Sequence, residues 1–224
     1  MRMIILGAPG TGKGTYSKEL SVILKLPQIS SGDLLRAARG DPKIGSIITK
    51  YQDEGLPVPD EVVMPIVEKR LKEGDCKKGF ILDAIPYNIN QTKMLDKITS
   101  IDLVINLILP DSVIIKKNLG RMTCKNCGAT YNVAEIKEED IYMPPLPPKK
   151  EGICDKCGGS LIKRSDDTEE TVRERLRVYK ERIKPVLEFY TNKKIVKEFK
   201  VNGSPETVVP QLLELIKSVF GVKK

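Results

Sequence analysis

The stretch that decides the fold is GAPGTGKGT at residues 7–15. The apolar run MRMIIL precedes it at residues 1–6, and residues 16–26 follow with apolar side chains at helical spacing. A strand, a glycine-rich loop and a helix in this order let backbone N–H groups curve around phosphate oxygens, and the lysine adds a mobile positive charge. The loop matches the pattern G-x-x-x-x-G-K-[ST], except that Gly14 takes the last position and the hydroxyl follows at Thr15. The sequence therefore predicts a phosphate-binding loop.

Further along the chain, short apolar runs alternate with helical patterns. The helical segments begin with residues typical of helix N-termini, such as acidic residues or a serine before a proline. Strands are predicted at residues 80–83, 102–109 and 194–201, and helix starts at Asp60, Asp111, Asp167 and Ser204. This alternation favours an α/β fold with a parallel sheet covered by helices on both faces.

Composition and charge exclude several classes of protein. The chain has 224 residues and a formal net charge of +8, which favours anionic partners such as nucleic acid or phosphorylated small molecules. It contains no histidine, which excludes histidine-based catalysis, and no tryptophan, which argues against a stacking platform for single-stranded nucleic acid. No apolar run reaches the roughly 18 residues of a membrane span, and residues 1–7 lack a signal-peptide pattern. We therefore expect a cytoplasmic protein without a membrane partner.

The phosphate loop resembles the loop of adenylate kinases and related nucleoside monophosphate (NMP) kinases, in which a glycine after the lysine is usual. Further segments resemble this family in the family's order: SSGDLLR at residues 30–36, VPDEV at 58–62, DDTEETVRERL at 166–176 and VNG at 201–203. The resemblance implies a P-loop kinase three-layer α/β fold with a five-stranded parallel sheet, a small helical NMP-binding insert and a zinc-ribbon-like lid.

The division of this family into three parts carries over by the same resemblance. Residues 1–29, 61–117 and 166–224 would form the P-loop core, residues 30–60 the NMP-binding domain and residues 118–165 the zinc-binding lid. Both inserts would close on the substrates and exclude water. Bacterial relatives with such a lid are usually monomers and some archaeal relatives form trimers, so a monomer and a homo-oligomer both stay open.

The resemblance also implies roles for single residues. Phosphoryl transfer between nucleotides needs positioning and charge neutralisation rather than a general base, and the planar fork of arginine suits this. The catalytic residues implied are Lys13, Asp83, Arg121, Arg164 and Arg175, with Asp83 organising Mg²⁺ and Arg173 as an additional member. The ATP-binding residues implied are Gly10, Thr11, Gly12, Lys13, Gly14, Thr15, Arg121, Thr130, Tyr131, Gly203 and Pro205. The NMP-binding residues implied are Ser31, Arg36, Pro57, Val58, Ala84, Tyr87, Gln91, Arg164 and Arg175.

The remaining arginines that we considered lie outside the matched motifs. An isolated arginine is most often a solvated surface charge. We interpret Arg2, Arg39, Arg70, Arg177 and Arg182 in this way.

One departure from the family concerns the acceptor site. The family usually has Asp-Gly-Phe-Pro-Arg after the third strand, whereas this chain has DAIPY at residues 83–87. Tyr87 replaces the arginine that would hold the acceptor phosphate, and the loss of such a contact costs about 1.5–3 kcal/mol of binding. Gln91 keeps the position that reads the adenine edge. The resemblance implies reversible Mg²⁺-dependent transfer from ATP to AMP giving two ADP, with relaxed acceptor selectivity. The alternative is an NMP kinase whose main acceptor is not AMP.

Two C-x2-C pairs interrupt the α/β pattern, CKNCG at residues 124–128 and CDKCG at residues 154–158. Four thiolates at this spacing can surround one tetrahedral Zn²⁺ ion, which would be structural because it holds an insert too small for its own core. The ligands would be Cys124, Cys127, Cys154 and Cys157. A redox pair and iron in the same site are the alternatives. A zinc ribbon that binds nucleic acid is the rival function, and Cys76 is interpreted as a buried or free thiol.

The segment at residues 141–150 contains four prolines. Prolines at this density favour polyproline II structure. We predict a stiff surface loop here rather than a site for a partner.

Overall fold

The computed structural model describes residues 1–54, 56–164 and 167–221. The chain forms two compact units. The first contains Met1–Gly7, Lys13–Asn106 and Arg182–Glu198, and the second contains Ala8–Gly12, Leu107–Glu181 and Phe199–Lys224. Within the described residues, every helix is too short or too polar to span a bilayer. The three-part division implied by the family stays a prediction.

The elements follow in an alternating order. The strands are β1 (Arg2–Gly7), β2 (Gln28–Ser30), β3 (Phe80–Asp83), β4 (Leu103–Ile108), β5 (Arg121–Cys124), β6 (Thr130–Asn132), β7 (Ile136–Glu138), β8 (Ile141–Met143), β9 (Leu161–Ile162) and β10 (Val196–Lys200). The α-helices are α1 (Lys13–Leu24), α2 (Ser31–Ala37), α3 (Gly45–Asp53), α4 (Asp60–Leu71), α5 (Ile89–Ile98), α6 (Asp111–Leu119), α7 (Glu169–Asn192) and α8 (Pro205–Phe220). Two 3-10 helices span Ala38–Gly40 and Gly74–Lys78.

A five-stranded parallel sheet in the order β10-β4-β1-β3-β2 forms the centre of the fold. The pair β1 and β3 aligns Ile5 with Asp83, so the two strands end at the same edge of the sheet. Residues of β1 and β3 such as Ile4 and Ile81 are fully buried, as expected for strands covered on both faces. The last residues of β1 and β3 therefore lie side by side at this edge. The predicted α/β class is confirmed.

Most predicted elements agree with the structure, and the differences have local causes. Strand 80–83 is confirmed, and the strands predicted at 102–109 and 194–201 are shorter, at Leu103–Ile108 and Val196–Lys200. The long helix begins at Glu169, two residues after Asp167. Helix α1 begins at Lys13, so the last three residues of the phosphate-loop pattern at 7–15 form the first helical turn. The three-residue strand β2 was not predicted, since it is too short to show a period.

The proline-rich segment differs from its prediction as a stiff loop. Its first three residues form β8, which pairs antiparallel with β7. Ile141 and Met143 are buried and Tyr142 between them is exposed, which is the alternation of a half-buried strand. The prolines begin only at residue 144, so they leave this pairing intact. In the same unit, β6, β5 and β9 form a three-stranded sheet.

Candidate active site

The glycine-rich loop has a backbone that favours glycine. The φ angle is +95° at Gly10 and +98° at Gly12, in the region that L side chains rarely adopt. A β-carbon at residue 10 would lie 2.1 Å from Nδ2 of Asn118, so a larger residue would clash with α6. Thr11 is fully buried, and its Oγ1 and backbone N–H donate to the Ala8 carbonyl at 2.9 and 3.2 Å. These contacts hold the tight turn that phosphate binding requires.

Lys13 begins α1 with its ammonium group largely withdrawn from water. Its Nζ donates to the Gly7 carbonyl at 2.6 Å. Burial lowers the pKa of Lys13 from 10.5 to about 8, and the carboxylate of Asp83 opposes this shift. Burial likewise raises the pKa of Asp83, and the Lys13 charge opposes that change. A perturbed cation and carboxylate at the carboxyl ends of parallel strands are typical of a ligand site.

Gly14 leaves space beside Asp83. A β-carbon at residue 14 would lie 3.3 Å from Oδ2 of Asp83, and Gln28 Nε2 donates to that same oxygen at 3.1 Å. Thr15 is exposed in the first turn of α1. Mg²⁺ keeps several waters and binds through one or two carboxylates, so a carboxylate beside a residue without a side chain fits this ion.

The predicted base-reading residue, Gln91, is buried in a polar network. Its Oε1 accepts from the backbone N–H of Tyr87 at 2.7 Å, and its Nε2 donates to Asp60 Oδ1 at 2.8 Å. Asn88 caps α5 by accepting from the Gln91 backbone N–H and donates to the Asp60 carboxylate. Both polar atoms of the Gln91 amide therefore already have partners within the protein.

Ala84 has a backbone conformation that favours glycine, with φ at +58°. We expect Ala84→Gly to stabilise the protein by about 1 kcal/mol, because it relieves left-handed strain at a modest entropic cost. Thermal unfolding should show a midpoint about 2–4 °C higher. The matched control is Ala38→Gly, at a φ of −84°, which should lower the midpoint. Equal shifts for the two variants would contradict the strain at residue 84.

The other residues predicted to bind the acceptor lie on or beside α2 and α4. Arg36 is exposed on α2 and forms an ion pair with Asp33. Ser31 is half-buried at the start of α2. Pro57 is exposed and Val58 is buried just before α4. Arg36 is the only one of these four with a charge that can bind phosphate.

The predicted arginines of β5 and the lid segment have different partners. Arg121 holds Asp167 with two parallel hydrogen bonds, one of them 2.9 Å from Nε to Oδ2. The side chain of Asp167 is fully buried. Arg164 is exposed, and its Nε donates to Thr123 Oγ1 at 3.1 Å. The buried Asp167 thus fixes the orientation of the Arg121 guanidinium.

Burial and the positive charge of Arg121 together lower the pKa of Lys117 to about 8.

Two more predicted arginines lie on α7. Arg173 and Arg175 are both exposed. Arg173 forms an ion pair with Glu169, one turn earlier, at 2.7 Å. The guanidinium of Arg173 is therefore partly neutralised within its own helix.

The four cysteines of the two pairs come together. Their sulfur atoms all lie within 4.8 Å of one another. The Sγ atoms of Cys124 and Cys157 are 3.5 Å apart, and those of Cys127 and Cys154 are 3.6 Å apart. A tetrahedral ion with bonds of 2.3 Å to sulfur would separate the sulfurs by about 3.8 Å. The backbone N–H groups of Cys127 and Asn126 lower the pKa of the Cys124 thiol, which favours the thiolate that binds metal.

Tyr131, predicted to bind ATP, contacts this cysteine cluster. Its hydroxyl accepts from the Asp155 backbone N–H at 2.7 Å and donates to Cys154 Sγ at 3.6 Å. Its neighbour Thr130 is exposed on β6. In metal sites, hydrogen bonds to ligand atoms of this kind orient the ligands. The role of both residues in ATP binding stays a prediction.

The turn before α8 contains the last two predicted ATP-binding residues. Gly203 is buried, and a β-carbon there would lie 3.1 Å from Cβ of Thr207. Pro205 is the first residue of α8. The carbonyl of Asn202 accepts from the Tyr142 backbone N–H at 3.1 Å, which ties the β7–β8 hairpin to this turn.

A comparison with known families decides the assignment. The family profile described as adenylate kinase matches residues 5–195. The chain belongs to the adenylate kinase family. This family consists of phosphotransferases, so the prediction of an adenylate kinase-type enzyme is confirmed.

Relatives of this adenylate kinase family member extend over nearly its whole length. The adenylate kinase of Thermodesulfovibrio yellowstonii is 45% identical over 223 residues, which cover 96% of this chain and 99% of the relative. That of Archaeoglobus fulgidus is 44% identical over 229 residues, covering 97% and 100%. That of Caldicellulosiruptor saccharolyticus is 47% identical over 199 residues, covering 86% and 88%.

The structure of this adenylate kinase family member also reveals residues that sequence reasoning missed. Asn118 packs on the loop at Gly10, Asp167 orients Arg121, and Asp60 holds Gln91. Arg182, interpreted as a surface charge, lies over the ring of Tyr87. Each of these contacts joins residues far apart in the chain, so no local pattern signals them.

Proposed function

We propose that the protein catalyses the reversible transfer of a phosphoryl group from ATP to AMP, which gives two ADP. The observation that carries this proposal is Lys13, a withdrawn cation beside Asp83 at the start of a helix that follows a glycine-rich loop. The N–H groups of that loop and the helix N-terminus would bind phosphate oxygens, and Lys13 would neutralise the β- and γ-phosphates. The family assignment supports the same reaction.

The acceptor phosphate would act as nucleophile without a general base, since it is already charged at neutral pH. Lys13 would hold the donor phosphates in line with it. Arg121, Arg164 and Arg175 would bind the oxygens of the transferring group, where negative charge spreads in the transition state. Asp167 fixes the side chain of Arg121 before any nucleotide binds.

Asp83 would hold Mg²⁺ through its hydration shell, in the space that Gly14 leaves. The ion would supply charge neutralisation between the β- and γ-phosphates. Gln28 orients the carboxylate by donating to its Oδ2.

We also infer that acceptor selectivity is relaxed. The Gln91 amide uses one of its two N–H donors on Asp60 and one oxygen lone pair on the Tyr87 N–H, so one donor and one lone pair are left to read a base edge. A hydrogen bond between neutral groups contributes only about 0.5–1.5 kcal/mol. Base recognition through Gln91 would therefore separate AMP weakly from other monophosphates.

Initial rates with ATP and Mg²⁺ against AMP, GMP, CMP and UMP test both parts of this proposal. We expect transfer to AMP, and values of kcat/KM for other monophosphates within about tenfold of it. A preference for AMP above about 100-fold would contradict relaxed selectivity and keep the ATP–AMP reaction. A higher kcat/KM for another acceptor would favour the alternative kinase. Transfer to none of the four would contradict the proposed function.

We propose that the four cysteines hold one structural Zn²⁺ ion. Purified protein should contain one zinc per chain, and Cys154→Ser should lose it and lower the unfolding midpoint by about 10 °C or more. The matched control is Cys76→Ser, at a buried thiol whose Sγ contacts Arg70 and lies outside the cluster. Elemental analysis and thermal unfolding supply the two readouts. Iron in place of zinc, or zinc retained in Cys154→Ser, would contradict this assignment.

A further inference from the structure

Arg182 and Arg177 both lie on α7, but their guanidinium groups have different partners. The Cζ of Arg182 lies 5.1 Å from the ring centroid of Tyr87, which places the guanidinium over the ring. Arg177, five residues earlier, bridges Glu174 and Glu181. Among the described residues, by contrast, no carboxylate oxygen lies within 4.0 Å of a guanidinium nitrogen of Arg182. The charge of this half-buried side chain therefore faces an aromatic ring, and no carboxylate of the described residues pairs with it.

The ring that holds this cation lies next to the end of a central strand. Tyr87 follows Asp83, the last residue of β3, by four positions. Ligands of open parallel sheets bind outside the carboxyl ends of the strands. The backbone of Tyr87 is fixed there, because its N–H donates to the buried Gln91 amide at 2.7 Å. Arg182, Tyr87, Asp83 and Lys13 all belong to the first compact unit.

A guanidinium that lies over a ring keeps N–H donors for other partners. It carries five N–H groups, and among the described residues the ring of Tyr87 is the contact recorded for the Arg182 guanidinium. Those N–H groups can bind two oxygens of one phosphate at once. A ring-supported arginine without a carboxylate partner is therefore prepared for an anion of this geometry.

We propose that Arg182, supported by the ring of Tyr87, binds the phosphate of the acceptor nucleoside monophosphate. This inference rests on the proposed function. The chain has Tyr87 at the position where its family usually has an arginine, and Arg182 would bring a guanidinium to that position from another helix. The acceptor phosphate would then be held by Arg36 and Arg182, while the base is read loosely.

Arg182→Met tests this directly, because methionine keeps the aliphatic packing and removes the charge. We expect KM for AMP to rise about tenfold or more, with KM for ATP within about twofold of wild type. The matched control is Arg177→Met, which removes one positive charge from the same helix. Tyr87→Leu, which removes the supporting ring, should also raise KM for AMP. The double variant Tyr87→Arg with Arg182→Met should bring KM for AMP back towards wild type.

Calorimetric titration separates this inference from the proposed function, because it needs no turnover. Arg182→Met should weaken AMP binding about tenfold and leave adenosine binding unchanged, since adenosine has no phosphate. If Arg182→Met binds AMP within about twofold of Arg177→Met, and the wild-type protein transfers phosphoryl groups, the role of Arg182 alone is overturned. A wild-type protein that binds no AMP would overturn both.

Discussion

Replacing Lys13 by glutamine should lower kcat/KM for ATP about 10³-fold, because this residue supplies the buried positive charge that meets the donor phosphates. Glutamine keeps most of the length and a donor but carries no charge. The free energy of unfolding should stay the same or rise, since the variant no longer withdraws an ammonium group from water. Steady-state rates and thermal unfolding of the same preparation give both quantities.

The matched control for Lys13 is Lys18→Gln, at an exposed position of the same helix. It removes an equal charge and should change kcat/KM for ATP less than twofold, as expected for a screened surface charge. A Lys13 variant that stays within tenfold of wild type would contradict the central role of this residue.

The lowered pKa of Lys13 also sets the direction of a pH effect. The pKa is about 8 in the free protein, so the ammonium form that binds phosphate predominates below pH 8 and is lost above it. The value of kcat/KM reports groups of the free enzyme, and for ATP it should therefore fall as the pH rises through about 8. A fall that occurs only near pH 10 would mean that Lys13 keeps its ordinary pKa.

The second large effect concerns the pair formed by Arg121 and Asp167. Arg121→Met should lower kcat about 10²–10³-fold with a smaller change in KM, because the guanidinium acts mainly on the transferring phosphoryl group. It should also destabilise the protein by about 3–5 kcal/mol, because Asp167 is left buried without its partner. Steady-state kinetics and denaturant unfolding measure the two effects.

Removing both partners separates catalysis from stability. Arg121→Met with Asp167→Asn should regain much of the lost stability and keep the low kcat of Arg121→Met. Asp167→Asn alone should lower kcat about tenfold, because Arg121 stays charged but loses its orientation. The control is Arg177→Met, whose exposed partners Glu174 and Glu181 lie on the same helix. Recovery of kcat in the double variant would show that Arg121 acts only through stability.

The sequence predicted those parts of the fold and site that depend on neighbours in the chain. Two local patterns were visible in the sequence. The glycine loop with Lys13 is typical of phosphate binding, and the two cysteine pairs are typical of metal binding. Strands such as Phe80–Asp83 were visible because full burial on both faces leaves an uninterrupted apolar run.

What escaped prediction depends on pairing between distant residues. Arg121 and Asp167 are 46 residues apart, and nothing near either residue indicates that they form a buried ion pair. Tyr87 lies in a loop and Arg182 lies on α7, so their contact has no local signal in the sequence. The sequence alone therefore indicated only that the arginine charge is missing at residue 87. The pairing of β7 with β8 was hidden by the prolines that follow Met143.

The products formed from equimolar ATP and AMP test the central claim most directly. Phosphorus NMR of the protein with both nucleotides and Mg²⁺ resolves ATP, ADP, AMP and inorganic phosphate in one sample. The proposed function predicts that ATP and AMP disappear together, that two ADP form for each pair, and that ADP alone returns ATP and AMP. Release of inorganic phosphate from ATP with AMP unchanged, or no change in any signal, would contradict it.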